Sequence, residues 1–129
     1  MEKVILDTNV VIGYFSGDTR LEAILANTIH WYLPVPVVGE LLFGARNSAR
    51  ASENIALYQQ FIADCHLLTL DAEVADVYSQ IRIQLKKDGH PIPENDVWIA
   101  ATARANQLPL VTFDKHFQYV SGLQLVEIV

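Results

Sequence analysis

This sequence predicts an α/β fold: a central parallel sheet of about four to five strands flanked by helices in three layers. Three observations point there. Short apolar runs alternate with helical segments along the whole chain, aspartates or glycines stand where those helices should start or stop, and prolines interrupt the apolar runs. The 129 residues show no repeat, linker or low-complexity stretch, so a single domain over 1–129 is expected.

The elements follow in order. Lys3-Val4-Ile5-Leu6 is a short strand, and Thr8 to Phe15 a short helix halted near Ser16-Gly17-Asp18. Arg20 to Asn27 is a second helical stretch. Trp31-Tyr32-Leu33 reads as a strand that ends before Pro34 and Pro36, and Pro36 suits the first turn of a helix running through Gly39, Glu40, Leu41 and Leu42. Ser52-Glu53-Asn54 opens the next helix, with Ile55, Tyr58, Phe61 and Ile62 on one face, core first and partner surface second. His66 to Leu70 is a third strand. Asp71 caps a helix carrying Val74, Val77, Tyr78, Ile81 and Leu85 at helical spacing, and Lys86-Lys87-Asp88-Gly89 closes it. After a His90-Pro91-Ile92-Pro93 loop, Asn95-Asp96 starts a small-residue helix. Pro109 to Phe113 is a strand, and Leu123 to Val129 a last one.

Composition bounds the function. With 51% hydrophobic and 19% charged residues the chain is foldable, and at this length it should bury roughly two-thirds of its unfolded surface. One cysteine, Cys65, excludes an intrachain disulfide and a cysteine-built metal site. No apolar run approaches the roughly 18 residues of a membrane span, and no signal segment opens the chain, so a reducing, cytoplasmic setting is expected. The net charge of −6 argues against a passive nucleic-acid binder and permits a protein that holds divalent cations.

Four acids stand out. Asp7 and Asp114 each follow a strand, and Asp96 stands at a helix start; for each, capping or turn formation alone is an adequate explanation. Glu40 lies inside an apolar helical stretch between Gly39 and Gly44, two glycines that suggest something approaches the backbone closely. A buried, unpaired carboxylate there requires a cation or a proton. In an open parallel sheet, ligands bind beyond the carboxyl ends of the strands, where strand order reverses. Asp7 and Asp114 lie at that end, helix N-termini bring Asp96 to it, and Glu40 can reach it. Oxygen ligands without cysteine suit Mg²⁺ or Mn²⁺, which retains waters that can attack a phosphodiester.

The motifs Leu6-Asp7-Thr8-Asn9, Glu40-Leu41-Leu42-Phe43-Gly44, Ile92-Pro93-Glu94-Asn95-Asp96-Val97-Trp98-Ile99-Ala100-Ala101 and Leu110-Val111-Thr112-Phe113-Asp114-Lys115-His116-Phe117 occur in one order across nearly the whole chain. In this the sequence resembles PIN-domain ribonucleases, specifically the VapC-type toxins of toxin–antitoxin pairs. The resemblance implies a PIN-like fold, a Mg²⁺- or Mn²⁺-dependent endoribonuclease leaving a 5′-phosphate and a 3′-hydroxyl, homodimerisation, and neutralisation by a small VapB-type antitoxin. It places Asp7, Glu40, Asp96 and Asp114 in the acidic cluster, with the Thr112 hydroxyl supporting it. Where some relatives carry a further acid or amide, Lys115 and His116 stand here.

Other residues are less specific. Arg46 and Arg50 stand one turn apart if the helix after Glu40 continues, and with Lys86, Lys87 and Lys115 they are candidates for phosphate contact. His116 beside Asp114 reads as a surface or packing histidine or a proton donor. His30, His66 and His90 lack ligand spacing to one another and read as structural, and Cys65 as a small buried residue. Two rival functions remain: an aspartyl-phosphate-type phosphatase with Asp7 as nucleophile, which would need a second acid where Asn9 stands, and a non-catalytic binding module on the same fold.

Overall fold

A computed structural model describes residues 1–129. Five strands, β1 (Lys3–Leu6), β2 (His30–Pro34), β3 (His66–Leu68), β4 (Leu110–Val111) and β5 (Leu125–Val126), pair in parallel in the order β3-β2-β1-β4-β5. Six helices flank them: α1 (Thr8–Phe15), α2 (Thr19–Ala26), α3 (Val35–Arg46), α4 (Ala51–Asp64), α5 (Ala72–Asp88) and α6 (Glu94–Ala105), with a 3₁₀ helix over Lys115–Tyr119. The expected class and strand number are those observed.

The chain lays β1, β2 and β3 outward on one side, then returns to place β4 and β5 on the other. The order therefore reverses between β1 and β4, which pair through Ile5 with Leu110 and Leu6 with Val111. As the middle strand, β1 is covered on both faces. Val4, Ile5 and Leu6 are all fully buried, the continuous apolar run a central parallel strand requires.

Local chemistry sets the helix ends. Asp7, Asp18 and Asp71 cap α1, α2 and α5, accepting from the N–H groups of Thr8, Arg20 and Val74 at 2.8, 3.0 and 2.9 Å. Gly89 ends α5 at φ 72°, a left-handed conformation that glycine adopts without steric cost. The Tyr78 and Trp98 rings stack with centroids 3.9 Å apart, joining α5 to α6. Ile99 to Ala103 of α6 are all fully buried. Of the face expected on α4, Phe61 is buried and Tyr58 and Ile62 pack against the core, where Phe61 meets Tyr14, Phe15 and Trp31.

Several boundaries differ from expectation. Pro34 belongs to β2, paired in register with Leu68; its missing N–H is tolerated because the strand ends there and α3 begins at the next residue. β3 stops at Leu68, and β4 and β5 have only two paired residues each. α4 starts at Ala51 after Arg50, without a side-chain cap, rather than at Ser52. α3 ends at Arg46, so Arg46 and Arg50 do not share a helix face, and Arg50 lies 3.7 Å from Glu53. A methyl group added at Gly39 or Gly44 would meet nothing within 4 Å, so no part of the chain makes the close approach those glycines suggested.

Phe117 anchors the 3₁₀ helix and is fully buried. Phe117→Ala is expected to cost about 3–5 kcal/mol. Chemical denaturation measures this, and a loss under about 1 kcal/mol would contradict the assigned core.

Candidate active site

The site forms where strand order reverses. Asp7 follows Leu6 at the end of β1 and is only 3% exposed. Its N–H donates to the Val111 carbonyl at 3.0 Å, and its own carbonyl accepts from Val10 and Val11 at 3.1 and 3.2 Å. One carboxylate oxygen accepts from the Thr8 N–H at 2.8 Å, and the other from the Thr112 hydroxyl at 2.7 Å. Thr112 Oγ1 in turn accepts from the Asp114 N–H at 3.0 Å, so one hydroxyl links the two post-strand aspartates.

Glu40 reaches the same place from the second turn of α3, its Oε1 accepting from the Thr8 hydroxyl at 3.1 Å. Asp96 lies in the first turn of α6. Pro93 occupies the cap position without a side-chain bond, so Asp96 is free of the capping role that its position suggested. Its Oδ2 instead lies 2.7 Å from His116 Nε2, which also stands 4.0 Å from Asp114 Oδ2. The side chain of Asp96 is 13% exposed and that of Asp114 45%, so Asp96 is the inner group and Asp114 the rim.

Asp7, Glu40, Asp96 and Asp114 all line one cavity of about 510 Å³, together with Thr8, Asn9, Ile12, Pro93, Glu94 and Asn95. No lysine or arginine lines it. Glu94 has its partners elsewhere, bonding Tyr78 and Arg82. Burial pushes the Asp7 carboxyl from 3.8 up to about 6; the bonds from Thr112 and Thr8 oppose this, and the charges of Asp96 and Asp114 add to it. Glu40 and Asp96 are also pushed up, mainly by burial, with opposition from the Thr8 hydroxyl and from His116 respectively. The acids of one pocket thus repel one another in a place that water only partly reaches.

The structure adds to the sequence reading at several residues. Thr8, unassigned there, supports Glu40; its only signal was its place directly after Asp7. His116 lies within the acidic cluster rather than at an independent surface site. His30 Nδ1 and His66 Nε2 stand 3.1 Å apart on neighbouring strands, contact that no spacing along the chain reveals. His90 stacks on Tyr119 with centroids 4.0 Å apart. Cys65 is half-buried, its thiol pushed up to about 12 by burial. Asn9, where an aspartyl-phosphate phosphatase needs a second acid, uses its Oδ1 to accept from the Phe113 N–H at 3.3 Å. None of Arg46, Arg50, Lys86, Lys87 and Lys115 lines the acidic pocket.

A parallel sheet ordered in this way, with an acidic pocket at its reversal point, defines the class as a PIN domain, and the family model for the PIN domain matches residues 4–123. Ribonuclease VapC2 of Haemophilus influenzae is 34% identical over 128 residues, spanning 96% of this chain and 96% of that protein. The tRNA(fMet)-specific endonuclease VapC of Shigella flexneri is 31% identical over 127 residues, at 96% of each. The crystal structure of VapBC-5 from Mycobacterium tuberculosis, a member of the VapBC family of toxin–antitoxin systems, superposes with a TM-score of 0.81 at 27% identity, covering 99% of this chain and 100% of that one. The chain belongs to the PIN-domain family, in its VapC ribonuclease branch.

The raised Asp7 carboxyl fixes the sign of a pH effect. Folded Asp7 holds its proton more tightly than the unfolded chain does. Its stabilising contribution is therefore complete below 3.8 and lost as the pH rises through about 6. In metal-free protein at about pH 8 the buried charge costs on the order of 3 kcal/mol. Asp7→Asn is expected to raise the unfolding midpoint there, with the difference vanishing near about pH 4. Equal stabilities at both pH values would contradict the burial argument.

Proposed function

We propose that this chain is a Mg²⁺- or Mn²⁺-dependent endoribonuclease whose metal site is made by Asp7, Glu40, Asp96 and Asp114, with Thr112 holding Asp7 in place. The observation that carries this reading is the convergence of four carboxylates from four distant segments on one cavity that no lysine or arginine of the chain enters. Such a pocket needs a cation from outside, and its oxygen donors suit a hard divalent ion.

The residues fit that role. A carboxylate offers about four acceptor positions. Asp7 uses one on each oxygen, leaving capacity on both while the Thr8 and Thr112 bonds fix its orientation. Thr8 does the same for Glu40. Asp96, inner and partly desolvated, and Asp114, at the rim, complete a face that RNA can approach from solvent. When bound, a divalent ion activates water as a nucleophile and steadies charge on the phosphate and on the leaving oxygen. The expected products carry a 5′-phosphate and a 3′-hydroxyl. Arg46, Arg50, Lys86, Lys87 and Lys115 are candidates for drawing the RNA backbone toward an otherwise acidic protein. By likeness to VapBC-5, a member of a toxin–antitoxin family, an antitoxin is the expected partner; its small size and a homodimeric assembly are what the family resemblance implies.

Purified protein incubated with total RNA tests this, with new 5′ ends mapped in Mg²⁺ and in EDTA. Cleavage is expected with Mg²⁺ and not with EDTA. Asp7→Asn or Asp96→Asn should lower the rate at least about a hundredfold with the fold retained, and Thr112→Val about tenfold. Near-wild-type cleavage by purified Asp7→Asn, or cleavage indifferent to EDTA, would overturn the assignment.

A further inference from the structure

The sequence singles out four of its fifteen acids, but the tightest constellation of possible ligand atoms includes a nitrogen. Asp96, Asp114 and His116 each present one donor atom, and the three atoms lie within 4.8 Å of one another. His116 Nε2 is 2.7 Å from Asp96 Oδ2 and 4.0 Å from Asp114 Oδ2. In an octahedral ion with bonds of about 2.1 Å, neighbouring donors stand roughly 3.0 Å apart and opposite ones roughly 4.2 Å. The two His116 separations fall near those values, and the Asp96–Asp114 pair, within 4.8 Å, needs only a small inward shift to share the ion. The imidazole is held there by its chain neighbour: Phe117 is fully buried, and its ring lies 5.1 Å from that of His116.

We propose that His116 is itself a ligand of the divalent ion, which gives this site a mixed Asp96, Asp114 and His116 face. The inference rests on the metal-dependent reading above and adds to it a prediction of metal choice. A neutral imidazole supplies a donor without adding a fifth negative charge to a pocket whose acids already repel one another. It also changes selectivity. Mg²⁺ prefers oxygen and keeps its waters, whereas imidazole nitrogen is accepted more readily by later first-row ions, Mn²⁺ among them. The site therefore favours Mn²⁺ over Mg²⁺ more strongly than four carboxylates alone would. The competing role for His116 is a plain hydrogen-bond buttress of Asp96, which leaves the ion with oxygen ligands only.

Mn²⁺ is the probe that separates the two roles, because its bound nitrogen neighbours are visible in pulsed electron paramagnetic resonance. Wild-type protein loaded with Mn²⁺ is expected to show nitrogen modulation that persists in His30→Ala and disappears in His116→Gln. Calorimetry should show Mn²⁺ binding weakened about tenfold by His116→Gln, with Mg²⁺ binding changed less than about twofold. Bound Mn²⁺ without nitrogen modulation, or modulation unchanged in His116→Gln, overturns the proposal. If RNA cleavage still requires metal and Asp7, that failure belongs to His116 alone. Protein that takes up no Mn²⁺ overturns both this inference and the metal-dependent reading. The wild-type spectrum is informative whatever the variant does to folding.

Discussion

Sheet and site are joined at one residue. Asp7 follows the central strand, caps the first helix and ties itself to Thr112 beyond β4, so its backbone is committed and each carboxylate oxygen is oriented by one hydrogen bond before any ligand arrives. The fully buried run Val4-Ile5-Leu6 places that carboxylate at the reversal point of the sheet, and the core around it denies it most of the water that would solvate its charge. The result is an acid held in place at an energetic cost. Nearly everything else in the pocket follows from how that cost is relieved.

One kind of relief is visible. Hydrogen bonds from Thr8 and Thr112 stabilise the charged form locally, but burial outweighs them and the carboxyl remains at about 6. The neighbouring acids work in the opposite direction. Glu40 and Asp96 are themselves pushed up, and no lysine or arginine lines the cavity. A folded protein maintains such an arrangement at the expense of stability. Under the proposed function a divalent ion would turn the same arrangement into a binding site, with the four repelling carboxylates as its ligands. On that reading an acidic chain, of net charge −6, is compatible with chemistry on a polyanion, because a bound cation would make the local charge at the reacting centre differ from the overall charge.

Much of this was legible in the sequence because each feature had a local cause. Caps at Asp18 and Asp71, the glycine end at residue 89 and the apolar run of β1 are written in short windows. Asp7 and Asp114 could be placed because a residue directly after a strand in a parallel sheet lies at the ligand-binding end. What was missed depended on contacts between distant segments. The reach of His116 to Asp96 crosses from the 3₁₀ helix to α6, the Thr8 bond to Glu40 spans from α1 to α3, and the His30–His66 contact exists only through strand register. For Asp96 the sequence leaves capping and ligation both open; α6 begins at Glu94 with Pro93 at its cap, which puts Asp96 inside the first turn, a difference of one residue of boundary. Strand ends also drifted: β4 and β5 are paired over two residues each, too short for any periodicity to define.

The central claim is that one divalent ion is shared by carboxylates from β1, α3, α6 and the segment after β4. Paramagnetic broadening of backbone amide signals during a substoichiometric Mn²⁺ titration tests it most directly. The account predicts that signals around residues 7, 40, 96 and 114 fade together, ahead of the rest of the chain. Broadening centred elsewhere, or confined to one of these segments, would contradict it.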